Sequence, residues 1–289
     1  MENTHLEPDI DVRQLGLEVD GLPLIGGSEP SYALRAAIEA LSPAFDEVFS
    51  YLRALGRHEV AILDEFFDPV GELLDGLGVG WRRIAAEDLT LEPVRLVFVG
   101  CNHRNARLDS VDLEPFLARG GVIVTSDRAA TLSGLQPYLP TCGGRAARRA
   151  RIALTSPIGD GVPGPVTPAA WLEPGHHPLS EGDLSQSDSS VLARDTLTGD
   201  PLVVRVEVGS GSILHAVPHW YQSSPTSSPT GLESRLLKDV PCYAAIGNSY
   251  PRLSLGAFLS MRAMLHALLL GIAQSAGIPI VYQKNQTER

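Results

Sequence analysis

The chain has 289 residues, 44% of them hydrophobic, and a formal net charge of -11. That length and apolar content suit one large α/β domain or two small ones around a sizeable core, and they exclude a disordered chain. The acidic balance excludes functions that need a broad basic face, so neither nucleic acid nor a membrane surface is expected as a partner.

The first 30 or so residues are polar, with Gly and Pro, and read as a lead-in. Leu34, Ile38 and Leu41 then recur at helical spacing from a cap at Ser31 to Ser42-Pro43. A second helical run, Phe45, Val48, Phe49, Leu52 and Leu55, stops at Gly56. Residues 1–57 are thus expected to form a partly helical N-terminal extension to an α/β domain over 58–289. EVAILD (59–64) opens the sheet, and Pro69 and Gly78 bound a helix with Val70, Leu73, Leu74 and Leu77 on one face. WRRIAAEDL supplies a strand and turn, RLVFVG another strand, VDLEPFLARGG a helix and VIVTS a further strand. Strands alternating with helices predict a doubly wound, mostly parallel sheet of flavodoxin-like type.

Beyond Ser126 the pattern loosens. DRAATLSGLQPYLP suggests a short helix from Asp127, and TCGGRAARRAR carries Arg145, Arg148, Arg149 and Arg151. RIALTSP restores a strand, followed by the long Pro/Gly/Ser-rich connection GDGVPGPVTPAAWLEPGHHPLSEGDLSQSDSS. VLARD, PLVVRVEV and SILHAVP form an antiparallel hairpin region, with Val203, Arg205 and Glu207 opposing Val204, Val206 and Val208 on one exposed and one buried face. A helix over 254–276 closes the domain. Arg262 and His266 near its middle favour a buried packing helix over a membrane span.

In parallel α/β sheets ligands sit beyond the carboxyl ends of the strands. Asp64, Asn102, His103 and Asp127 fall there, and His177 and His215 are the imidazoles placed to join them, so these six are candidate ligand-binding residues. Ser126, at a strand-to-helix turn, is a candidate nucleophile, with capping of the next helix as the plainer role. Cys101 is either a thiolate lowered by neighbouring cations or a small buried residue finishing its strand. His219 is the candidate base for either nucleophile. The imidazoles at 176, 177, 215 and 219 suit zinc or iron chemically, but none has a tight ligand motif, and no metal is assigned. No Gly-x-x-x-x-Gly-Lys-Ser/Thr or Gly-x-Gly-x-x-Gly follows a strand, so no cofactor is expected. The arginine run reads as a solvated face answered by the chain's own carboxylates, or as a dock for an acidic partner. Cys101, Cys142 and Cys242 are far apart and lack Cys-x-x-Cys spacing, which with the acidic start predicts reduced thiols and a cytoplasmic protein.

VAILDEFFDPVGELLDGLGVGWRRI, VFVGCN with FLARGGVIVTSD, GHHPLS, and PLVVRVEVGSGSILHAVPHW together resemble the class I glutamine amidotransferase-like superfamily, including its degenerate ThuA-like members, over residues 58–222. A working glutaminase of that superfamily has a Gly-x-Cys-x-Gly elbow and a later His-x-Glu. Here Thr125-Ser126-Asp127-Arg128 stands at the elbow, and Tyr221 follows His219 where the glutamate belongs. The resemblance therefore implies a non-catalytic domain binding a small ligand or protein partner at the carboxyl edge of the sheet. The alternative is a hydrolase using Ser126 or Cys101 with His219.

Overall fold

The computed structural model describes residues 28–63, 69–89, 93–101, 111–155, 168–184, 188–221 and 253–280. Asp64, Glu65, Asn102, His103 and Cys242 lie outside the described residues.

Short runs of β-branched and aromatic residues with no polar face can only be strands covered on both sides. β1 (Val60–Leu63), β3 (Leu96–Val99) and β4 (Val122–Ser126) are such runs, buried at every position. With β2 (Arg82–Ile84) and β9 (Gly211–Ala216) they form the parallel half of one nine-stranded sheet, in the order β2-β1-β3-β4-β9. The sheet continues from β9 through β8 (Pro201–Val208), β7 (Ser189–Asp195), β5 (Arg148–Leu154) and β6 (Ala169–Leu172).

The fold is α/β, but the expectation of a mostly parallel sheet needs correction: four neighbouring pairs are parallel and four antiparallel. Tight turns cannot join parallel strands. The chain turns between β7 and β8 at Gly199, φ 77°, and between β8 and β9 at Gly209, φ 61°, so these three strands must alternate in direction. The long connection is also not a bare excursion, because it contains β6 and a short helix α4 (Glu181–Leu184).

Helix α1 (Ser28–Ala54) spans the two helical runs read from sequence. Pro43 removes a backbone donor and crowds the preceding turn, and the helix kinks with Phe45 at φ -123°, ψ 18°. Helix α2 (Val70–Leu77) stops at left-handed Gly78, whose N–H bonds back to the Asp75 and Leu74 carbonyls. Helix α3 (Glu114–Ala118) is shorter than its sequence pattern and ends before Gly120, at φ 87°. Helix α5 (Leu255–Ala276) is capped by Ser254, whose hydroxyl accepts from Ala257 N, and it is buried along most of its length. It is long and apolar enough to cross a membrane, yet here 89% of its apolar window is buried inside the domain.

α5 covers the sheet face that alternation alone would leave exposed. Arg205 Nε donates to Ser275 Oγ at 3.0 Å, the Ser212 and Ser275 hydroxyls meet at 2.6 Å, and Ala169 N donates to Ser260 Oγ at 3.1 Å. Val203 and Val204, on opposite faces of β8, are therefore both fully buried. α1 packs across α5, and its apolar residues share one core with the sheet.

His266 on α5 meets Phe45 of α1 edge to face, 5.1 Å between ring centroids, and neither ring nitrogen has a hydrogen-bond partner. Burial, with Arg262 adding to it, pushes this imidazole down from 6.5 to about 4. An unfolded chain then takes up a proton as pH falls below 6.5 that the folded chain refuses until about 4, so stability falls across that window. His266→Leu removes that one-proton slope of about 1.4 kcal/mol per pH unit, so urea unfolding shows it gaining on wild type at pH 5 relative to pH 8.

Gly211 starts β9 where a Cβ would stand 2.4 Å from Gly121 O and 2.5 Å from Leu117 O. Backbone atoms cannot swing aside, so Gly211→Ala is expected to lose about 1–3 kcal/mol in chemical denaturation.

Candidate functional site

Three adjacent parallel strands set the site. Val99 of β3 pairs with Thr125 of β4, and Thr125 and Ser126 pair with His215 and Ala216 of β9. Chain leaving the three carboxyl ends at matched heights delivers Cys101, Asp127 and His219 to one place. Their ligand-type atoms all lie within 4.8 Å of one another, and the residues are 0%, 2% and 5% exposed.

Asp127 is the centre. Directly after β4 it adopts φ +45°, the one positive φ at a non-glycine among the described residues. Aspartate enters this region more readily than most residues, but it is uncommon enough to mark a special turn. Cys101 Sγ donates to Asp127 Oδ2 at 3.0 Å, and His219 Nε2 stands 3.7 Å from the same oxygen. Asp127 Oδ1 is buried with no hydrogen-bond partner.

The electrostatics follow from that arrangement. Burial, the largest influence on Asp127, opposes ionisation, but His219, the Cys101 donor and Arg128 together outweigh it and hold the carboxyl below its usual range. Burial pushes the Cys101 thiol up, with the Asp127 charge adding to the effect and His219 opposing it. The resting pair is thus a carboxylate holding a protonated thiol, the reverse of an activated cysteine.

Ser126 stands at the N-cap position of the 3-10 turn Asp127–Thr131, yet makes no side-chain capping bond, and it is fully buried. His215, also fully buried, shares a 2.7 Å hydrogen bond between Nδ1 and Thr125 Oγ1, while its Nε2 has no partner. Burial, with Asp127 opposing, moves it from 6.5 to about 4, so it is neutral near pH 7. Trp220 packs in the core and donates Nε1–H to Thr125 O at 2.8 Å.

The other candidates lie elsewhere. His177 Nδ1 is 3.0 Å from the Cys142 carbonyl oxygen, and His176 Nδ1 is 2.8 Å from that of Glu173. Neither belongs to the Cys101, Asp127, His219 group. Two members of the arginine run are answered by the chain's own carboxylates: Arg148 pairs with Asp195 and Asp200, and Arg145 with Asp200. A surface groove lined by Asp188, Ser190, Arg205, Glu207 and Gln274 sits where β8 ends and β9 begins, at the opposite end of the sheet from the site. The sequence paired Cys101 with His219 and set Asp127 apart as a ligand-binding residue, and a left-handed aspartate leaves no signal in sequence.

No family model and no curated protein matches the chain. Among solved structures it is similar to a protein of Thermoplasma acidophilum named as a GMP synthase subunit, with 11% identity over 78% of this chain and 98% of that one and a TM-score of 0.43. It is similar to a glutamine amidotransferase of Thermotoga maritima at 9% identity over 76% and 96% of the two chains, TM-score 0.37. It is also similar to a cold-adapted β-galactosidase of Rahnella sp. R3 at 13% identity over 77% of this chain, TM-score 0.40. The chain spans about a third, 32%, of that β-galactosidase.

Thr125→Val leaves His215 Nδ1 buried without its partner and is expected to cost about 1–3 kcal/mol. His215→Leu in the same chain removes the stranded group and recovers much of the loss, a coupling that a double-mutant cycle of unfolding free energies measures directly.

Proposed function

We propose that this chain is an amidotransferase-like domain that binds a small ligand or a protein partner at the carboxyl edge of β3, β4 and β9, and that it does not hydrolyse glutamine. One observation carries this reading: a carboxylate, Asp127, occupies the left-handed position after β4 and accepts from the neighbouring thiol, which burial, with the Asp127 charge adding to it, keeps protonated. A buried anion at that point can accept hydrogen bonds or hold a cation but is poorly placed to attack a carbonyl. The free thiols Cys101 and Cys142 suit a reducing cytoplasm.

The hydrolase reading draws on the meeting of Cys101, His219 and Asp127. Its difficulty is atomic order. A nucleophilic cysteine needs the imidazole to take its proton, whereas here the thiol is placed to donate to Asp127, His219 lowers its pKa by less than burial raises it, and the thiol is fully buried.

The test pairs a thermal-shift screen of metabolites with ammonia release from glutamine and hydrolysis of activated esters. The expected result is stabilisation by a ligand, lost in Asp127→Asn, with no turnover. Turnover abolished by Cys101→Ala or Ser126→Ala would overturn the binding reading, as would a screen and pull-down that yield no ligand or partner.

A further inference from the structure

We propose that Cys101 Sγ, Asp127 Oδ2 and His219 Nε2 form a site for one thiophilic divalent cation of the zinc class, leaving one coordination position for an oxygen or nitrogen atom of the bound ligand. The inference rests on the reading of this edge as a binding site and names what would recognise the ligand there.

The donor set is the first argument. One sulfur, one nitrogen and one carboxylate oxygen is a mixed set that zinc accepts, and hard cations such as magnesium do not use thiolates. A Cys, Asp and His triple that is at least 95% buried at every member is unlike the exposed acidic groups that gather on surfaces without function.

Distance is the second. Tetrahedral zinc with sulfur at 2.3 Å and nitrogen or oxygen near 2.0 Å places its donors about 3.5 Å apart. The Sγ to Oδ2 separation is 3.0 Å and the Nε2 to Oδ2 separation 3.7 Å, so each changes by roughly half an ångström or less to reach that spacing. No donor atom pair exceeds 4.8 Å. The third pair, within 4.8 Å, closes by about 1.3 Å at most to reach the same spacing.

Charge is the third. Asp127 Oδ1 is an unpartnered acceptor on a residue only 2% exposed, so this carboxylate, compensated at Oδ2 by Cys101 and His219, keeps a buried lone-pair face free for a cation. A divalent cation binding this carboxylate and a Cys101 thiolate gives a neutral cluster, with the thiol proton released to solvent on binding. The His219 imidazole completes three ligands, releasing to solvent any proton held on Nε2 as it binds, and the fourth vertex is what a site for an exchangeable ligand keeps open.

The test uses the full chain, stripped with chelator and titrated with cobalt(II) and then zinc(II). The expected result is uptake of one equivalent, a thiolate-to-cobalt charge-transfer band in the near ultraviolet, and its displacement by zinc. Cys101→Ser should abolish the band. Asp127→Asn, chosen because asparagine tolerates the left-handed conformation, and His219→Gln should each weaken zinc binding at least about tenfold. Circular dichroism confirms that each variant is folded, and His219→Ala serves if the glutamine variant is not. A folded chain that takes up neither metal at micromolar concentration, or uptake unchanged in Cys101→Ser and His219→Gln, would overturn the proposal. Failure here leaves ligand binding standing, whereas hydrolytic turnover would end that reading whatever cobalt does.

Discussion

The site depends on the in-register parallel pairing of β3, β4 and β9. Each strand is buried on both faces, so slippage by one residue would exchange its two faces and break two packing surfaces at once. Fixed register places the three carboxyl ends at one height. Cys101, Asp127 and His219 then have few residues in which to diverge. β9 reaches its place beside β4 only after the chain has built the antiparallel half, and Gly211 allows the close entry that the α3 end imposes.

Burial gives those three side chains their chemistry. In water a carboxylate, a thiol and an imidazole this close would differ little from their free forms. Inside the domain, desolvation raises the thiol, and the surrounding donors keep the carboxylate charged. The same chain shows how it satisfies a buried carboxylate for structure alone: Asp195 accepts from Arg148, from Arg151 N and from Leu197 N. Asp127 meets Cys101 and His219 at Oδ2 only, and its Oδ1 is left over. That contrast is what the proposed binding role of Asp127 draws on.

Much of the parallel half was legible because its signals are local. VAIL, LVFV and VIVTS lack any polar face, Pro69 and Gly78 bracket α2, and Ser42-Pro43 announces the kink in α1. The antiparallel half was less so. β6, AAWL, is a short apolar run among prolines and glycines, and its strand state comes from pairing with β5, a non-local contact. Arg205 reads as an exposed position until α5, far along the chain, covers it. At the site, the residue types could be named from sequence, but the roles could not. A positive φ at Asp127 is invisible in composition, and whether a thiol meets an imidazole or a carboxylate is decided by angstroms.

The central claim, that burial, reinforced by the Asp127 charge, keeps the Cys101 thiol protonated against the opposing pull of His219, is tested most directly by the pH dependence of its alkylation in the folded chain, resolved by peptide mass spectrometry. The account predicts that Cys101 stays nearly inert at pH 7 and reacts only above the ordinary thiol value of 9.0. Fast alkylation of Cys101 at pH 7 that His219→Ala suppresses would contradict it.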